Sequence, residues 1–155
     1  MALDDCIFVW LLCCISDGSY ILKKISKIYI IKKYSNKKEG NTMPFIDSKI
    51  TLKVSEEKRE IIKSRLGKEI SIIGKPESFL MVGFEDEYSL YMAGNKLEKG
   101  AYVAVRIFGN ASSDAYDRLT AAICNIFEEE LDIPARNVYV SYIGTKDWGW
   151  NGGNF

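Results

Sequence analysis

The stretch Met43-Pro44-Phe45-Ile46 is the first arrangement in this chain with chemical consequences. A start methionine before a small residue such as proline is normally removed. Pro44 would then present a free secondary amine. Ordinary α-amino groups titrate near ~7.7–8.0. An apolar pocket and a nearby cation both disfavour the protonated form and lower that value. A neutral amine near physiological pH is a competent general base. Taken alone, the motif also reads as a proline that merely opens a strand, where its missing N–H does no harm. A second residue gives it meaning. Lys75, in Gly74-Lys75-Pro76, follows a helical pattern. Alone it reads as a surface charge complementing a helix dipole. Paired with a terminal amine, it suits an α-keto acid. The cation binds the carboxylate and stabilises a developing enolate, and the amine takes the adjacent C–H proton. Tyr139, Tyr142, Trp148, Trp150 and Phe155 could supply aromatic walls, although aromatics at strand positions more often belong to a core.

Composition narrows the alternatives. The chain has 155 residues and no histidine. The commonest metal ligand and the commonest general base are therefore missing. Cys6, Cys13, Cys14 and Cys124 show neither a disulfide framework nor zinc-ligand spacing, so no metal is expected. Cys124 falls on the apolar face of a predicted helix and reads as a buried small hydrophobe. Lys+Arg and Asp+Glu are equal at 21 each. Nothing in that balance attracts nucleic acid or an anionic membrane.

The chain changes character near residue 43. Residues 1–42 carry no proline and an Ile/Lys/Tyr/Asn-rich mixture, with seven basic and four acidic residues. The apolar run Cys6–Ile15 follows Asp4 and Asp5 rather than Lys or Arg, the wrong charge for an export signal. It is also shorter than the ~20 residues that span a bilayer. Lys38-Glu39-Gly40 can be encoded as AAG-GAG-GGN, a bacterial ribosome-binding sequence a short spacer before Met43. The expectation is a leader over 1–43, untranslated or removed, and one domain over 44–155. With no credible export signal, the expected location is the cytoplasm, and release without a standard signal peptide is the alternative.

The elements that must position Pro44 and Lys75 are legible from Met43 onward. Pro44–Leu52 partly alternates, as a half-buried strand does. Ser55 is a helix N-cap with Glu56 and Glu57 in the first turn. Ile62, Leu66, Ile70 and Ile73 recur at helical spacing until Gly74 and Pro76 stop the helix. Ser78–Phe84 reads as a strand, Tyr88–Met92 as a short one, and Asn95–Gly100 as a loop. Ala101–Phe108 is an apolar strand. Ser112 or Ser113 caps a helix carrying Leu119, Ala122, Ile123, Ile126 and Phe127 on one face. Asn137–Ile143 is the last strand. The predicted class is α+β, an α/β sandwich of tandem β-α-β units with both helices on one sheet face. The other face should bury itself by self-association.

These motifs, in this order, resemble the macrophage migration inhibitory factor/tautomerase family. The match rests on Met43-Pro44-Phe45-Ile46, Gly74-Lys75-Pro76, Ile133-Pro134 with Asn137-Val138-Tyr139-Val140, Trp150-Asn151 and terminal Phe155. Gly83-Phe84-Glu85-Asp86 and Trp148-Gly149-Trp150-Asn151-Gly152 are similar to bacterial members. The resemblance implies a homotrimer with sites at subunit interfaces, no cofactor, and tautomerisation of aryl α-keto acids such as phenylpyruvate, or of dopachrome. It implies Pro44 as catalytic base and Lys75 as catalytic and carboxylate-binding cation. Phe108 falls near a residue whose backbone N–H contacts substrate, with a possible slip to Ile107. Tyr139 falls on a tyrosine from the neighbouring subunit, and Phe79, Trp150 and Phe155 on pocket aromatics. Ser141 stands where animal members bind substrate through asparagine; serine reaches less far. The Cys-x-x-Cys of animal members is missing around Lys99–Val103, which argues against thiol-redox activity. The alternative function is a signalling or binding protein with a vestigial pocket.

Overall fold

The computed structural model describes residues 43–154. The expected leader and Phe155 lie outside the described residues. Strand β1 (Phe45–Ile50) leads to helix α1 (Glu56–Glu69), which tightens into a 3₁₀ turn at Ile70–Ile73. A second 3₁₀ turn (Glu77–Phe79) precedes β2 (Met81–Glu85). A hairpin of β3 (Tyr91–Met92) and β4 (Asn95–Lys96) follows. Then come β5 (Ala101–Phe108), α2 (Ser113–Leu131), β6 (Val138–Thr145) and a closing hairpin of β7 (Gly149–Trp150) and β8 (Gly153–Asn154). The main sheet runs β2-β1-β5-β6. β1 is parallel to β2 and antiparallel to β5, and β5 is parallel to β6. This is the expected pair of β-α-β units, joined at the antiparallel β1–β5 seam.

Alternation explains the layering. Ile46, Ser48 and Ile50 of β1 are buried, and their cross-strand partners are Val105, Val103 and Ala101. The apolar ones among them join Ile62 and Leu66 of α1 and Leu119, Ile123, Ile126 and Phe127 of α2 in one core. Each Val, Leu, Ile or Phe side chain among them contributes about 1.5–3 kcal/mol by leaving water. Phe45, Asp47, Lys49, Tyr102 and Arg106 alternate onto the opposite face. Among the described residues no element covers that face in the single chain, and Met81, Tyr139 and Ile143 are exposed on it.

Local signals set the helix ends. Ser55 caps α1 by accepting from the Lys58 N–H, and Ser112 caps α2 by accepting from the Ala115 N–H. α1 buries only Ile62, Leu66 and Gly67. Its charged flank binds α2 instead: Lys58 and Arg65 both reach Glu130, at 2.9 and 2.8 Å. These two cations hold the Glu130 carboxyl below the usual carboxylate range. Arg59 reaches Asp86 at 3.0 Å.

Several boundaries differ from expectation. Ser78 and Phe79 lie in a 3₁₀ turn, and the strand starts at Met81. Lys75-Pro76 reverses the chain first, and Pro76 withholds a ladder donor. Asn95–Lys96 pairs with Tyr91–Met92 instead of lying in a loop. Ala93 and Gly94, both at positive φ, make the tight turn between them. Asn151-Gly152 closes the last hairpin in the same way, with φ of 50° and 82°.

One core group is poorly served. The Ser48 hydroxyl is fully buried and has no hydrogen-bond partner. Leaving it unsatisfied costs about 1–3 kcal/mol. Ser48→Ala is therefore expected to raise stability by about 1 kcal/mol, read as a higher urea midpoint at unchanged slope. A lower midpoint would show that the hydroxyl is satisfied in solution.

Candidate active site

One end of the sheet collects most of the chemistry-bearing residues. Phe45 pairs with Arg106 in antiparallel register, so Pro44, just before β1, lies at the same end of the sheet as Ile107 and Phe108, where β5 ends. The buried Pro44 is fixed there by its carbonyl, which accepts from the Met81 N–H at 3.0 Å. Phe79 stands two residues before Met81, so it arrives at the same end.

Lys75 comes to this end from the helix layer. Gly74 takes a left-handed conformation (φ 70°) and ends the 3₁₀ turn that extends α1. The chain then reverses, and the lysine is drawn inward until only 9% of it is exposed. Its Nζ donates to the Phe108 carbonyl at 3.0 Å. Among the described residues it forms no ion pair with a carboxylate. Burial pushes its pKa below a lysine's ordinary 10.5. Within the described residues Lys75 is thus a cation held by one carbonyl dipole, without the anion that a buried ammonium ordinarily requires. The side chain of Ile107, the neighbouring position, is fully buried in the core.

The aromatic side is partly assembled. The β7–β8 hairpin brings Trp150 edge-on to Phe79, with ring centroids 6.2 Å apart. Such edge-to-face pairs contribute about 0.5–1.5 kcal/mol beyond area burial. Trp150 remains half exposed.

Other expected wall residues lie elsewhere. Tyr142 belongs to the helix-facing side of β6, not to the site. It stacks on Tyr116 with centroids 4.2 Å apart, and its hydroxyl meets Thr120 Oγ1 at 2.9 Å and donates to the Tyr116 carbonyl. Tyr139 pairs with Tyr102 at the far end of β5. Six residues separate Tyr102 from Phe108, ~20 Å of strand. Tyr139 therefore cannot join the Lys75 end of its own chain; it stands 62% exposed. Ser141 lies midway, opposite Ala104, with its hydroxyl 2.9 Å from that of Tyr102. Tyr102 was not anticipated in this role. The alternation of Ala101–Phe108 already placed it on the face of Ser141, but strand register is not visible in one strand's sequence.

Cys124 is half-buried against the core, and burial raises its thiol pKa. That is the environment of an unreactive thiol. Among the described residues, no group of three or more His, Cys, Asp or Glu could hold a metal, and no helix is long and apolar enough to cross a membrane. A cavity of about 460 Å³ lies beside the end of β1 remote from Pro44, between Thr51, Tyr88 and Leu97. It is separate from the Lys75 end.

Comparison with known proteins agrees with this architecture. The family model described as "Macrophage migration inhibitory factor (MIF)" matches residues 43–155. Among solved structures, Leishmania major MIF2 is similar at 32% identity and a TM-score of 0.69, over 73% of this chain and 97% of that one. The macrophage migration inhibitory factor homologue of Prochlorococcus marinus shares 24% identity at a TM-score of 0.64, over 72% of this chain and 98% of that one. A structure described as Pt0534 inactivated by 2-oxo-3-pentynoate shares 21% identity at a TM-score of 0.63, over 70% of this chain and 93% of that one. No curated protein sequence matches. The chain belongs to the macrophage migration inhibitory factor family.

Proposed function

We propose that this protein is a keto–enol tautomerase acting on aryl α-keto acids such as phenylpyruvate, with the Pro44 nitrogen as the proton-transferring group once Pro44 is the first residue. The observation that carries the reading is Lys75: a buried ammonium that has, among the described residues, a carbonyl but no carboxylate partner, at the end of the sheet where Pro44 begins β1. A substrate carboxylate would complete it. In ketonisation neutral Pro44 takes the enol O–H proton, Lys75 steadies the negative charge that develops, and protonated Pro44 delivers the proton to the carbon between the keto group and the ring; the reverse direction removes a proton from that same carbon. The aryl ring would rest against Phe79, Trp150 and Phe155. A structural relative inactivated by 2-oxo-3-pentynoate, itself a 2-keto acid, fits this substrate class. The direct test is phenylpyruvate ketonisation by protein beginning at Pro44. No turnover above buffer would leave the fold without this activity.

The reading also makes the site a shared one. Tyr139 lies too far from Lys75 within one chain, and it stands on an uncovered sheet face. A cyclic homotrimer built on that face would deliver Tyr139 and Ser141 of one subunit to the Lys75 end of the next. Complementation tests this. Lys75→Met and Tyr139→Ala proteins, each expected to have little activity, are unfolded together and refolded as mixed oligomers. Random assembly restores a wild-type combination at about a quarter of the sites. Activity equal to the mean of the two separate variants would place Tyr139 outside the neighbour's site.

A further inference from the structure

The Phe108 carbonyl is the one protein group that holds the Lys75 ammonium among the described residues, so whatever orients that carbonyl orients the cation. The next residue, Gly109, is left-handed, at φ 77°. Its N–H donates to the Thr145 carbonyl at 2.8 Å, which extends the β5–β6 pairing one residue past Phe108. The chain turns sharply there while still tied to β6. A Cβ on Gly109 would meet nothing within 4 Å. Glycine is needed at this position for its torsion, not for space.

Gly144 backs the same turn from β6. A Cβ on Gly144 would collide with the Gly109 carbonyl oxygen and with Oδ1 of Asn110. The asparagine end could swing away, but the Gly109 oxygen is backbone and moves only if the turn moves. Gly144 is opposite Ile107 in the ladder, so the bare Cα lies beneath the bend that carries Phe108. Two glycines with different reasons for being glycine thus meet at the carbonyl that grips Lys75.

We propose that Gly109 and Gly144 are positioning residues for the site: together they seat the Phe108 carbonyl against the Lys75 ammonium and fix the cation at the Pro44 end of the sheet. This deepens the tautomerase reading and rests on it for the catalytic meaning of Lys75, but the seat itself is a statement about geometry. Asparagine tolerates the left-handed region far better than valine or alanine. The series Gly109→Asn, Gly109→Ala and Gly109→Val therefore grades the torsional strain at a position where an added Cβ meets nothing within 4 Å.

The experiment follows Lys75 directly. The full chain is labelled with ¹³C at lysine Cε, and the Lys75 resonance is assigned from its loss in Lys75→Arg. Removing a hydrogen bond to an ammonium penalises its charged form. In Gly109→Val and Gly144→Ala the Lys75 titration midpoint is expected to fall by about one pH unit. In Gly109→Asn it should stay at the wild-type value, with the remaining lysines unmoved throughout. Where valine prevents folding, Gly109→Ala provides the same comparison. In protein that turns over, KM for phenylpyruvate should rise several-fold in the displaced variants and recover in Gly109→Asn. A wild-type Lys75 midpoint in folded Gly109→Val or Gly109→Ala would overturn the seat. Absence of turnover in every form, with the midpoint shifted as expected, would overturn the tautomerase reading and leave the seat standing.

Discussion

Protein whose first residue is Pro44 is expected to ketonise phenylpyruvate, and the same chain retaining Met43 is expected to be slower by about 10²–10⁴-fold, the usual contribution of a positioned acid–base group. The cause is the peptide bond. In the longer chain the Pro44 nitrogen shares its lone pair with the Met43 carbonyl, so it has no basicity to offer. Freed, it becomes a secondary amine, and its burial and the cation at this end of the sheet favour its neutral form. Pro44→Gly in the shortened protein keeps a terminal amine but loses the rigid ring, and it should retain only a fraction of the activity. The pH profile distinguishes the two groups. Activity should rise on the acid side as Pro44 loses its proton. It should fall on the alkaline side as Lys75 loses its charge, and burial places that limb below lysine's ordinary 10.5. Intact mass of the natural protein together with a rate measurement decides the matter. Equal rates with and without Met43 would remove the proline nitrogen from the mechanism.

Lys75→Met should have opposite effects on activity and stability. The loss in kcat/KM is expected to be about 10²–10³-fold, as when one donor to a developing oxyanion is removed. The fold, by contrast, should become more stable by about 1 kcal/mol or more, because a buried charge without a counter-ion among the described residues is replaced by an apolar chain of similar length. The sign of the pH dependence supports the same test. Lys75 has a lower pKa folded than unfolded, so between those values the unfolded chain holds more protons. Wild-type stability therefore carries the penalty at neutral pH and recovers as pH rises through the folded value. The difference between wild type and Lys75→Met should shrink over that window. Urea unfolding at neutral and alkaline pH measures it. A variant that is less stable and fully active would reduce Lys75 to a surface-type charge, contrary to its burial.

Much of the architecture follows from short-range rules. Ser55 and Ser112 mark the helix starts because a side-chain oxygen can satisfy the first free N–H groups wherever the fold places them. The alternation in Phe45–Ile50 and the 3.6-residue spacing from Leu119 to Phe127 define one apolar face each, so the sandwich needs no long-range information. The closing hairpin lies beyond the strands expected from the sequence, although the dipeptide Asn151-Gly152 favours the two positive φ values such a turn needs.

The site was only partly legible, and the reason is distance along the chain. Sequence alone put Pro44 at a strand start and Lys75 after a helix, each with an ordinary structural explanation. Their relation depends on β1 lying antiparallel to β5 and on a 3₁₀ turn swinging Lys75 beneath the end of β5. Register also separates Tyr139 from Lys75 and turns Tyr142 toward Thr120 rather than the site. These are pairings between segments twenty or more residues apart, chosen by whole-sheet packing that no local pattern encodes. The amino-acid order determined which groups were capable of chemistry; the tertiary structure alone decided that a buried ammonium, a proline and two aromatic rings would share one end of the sheet.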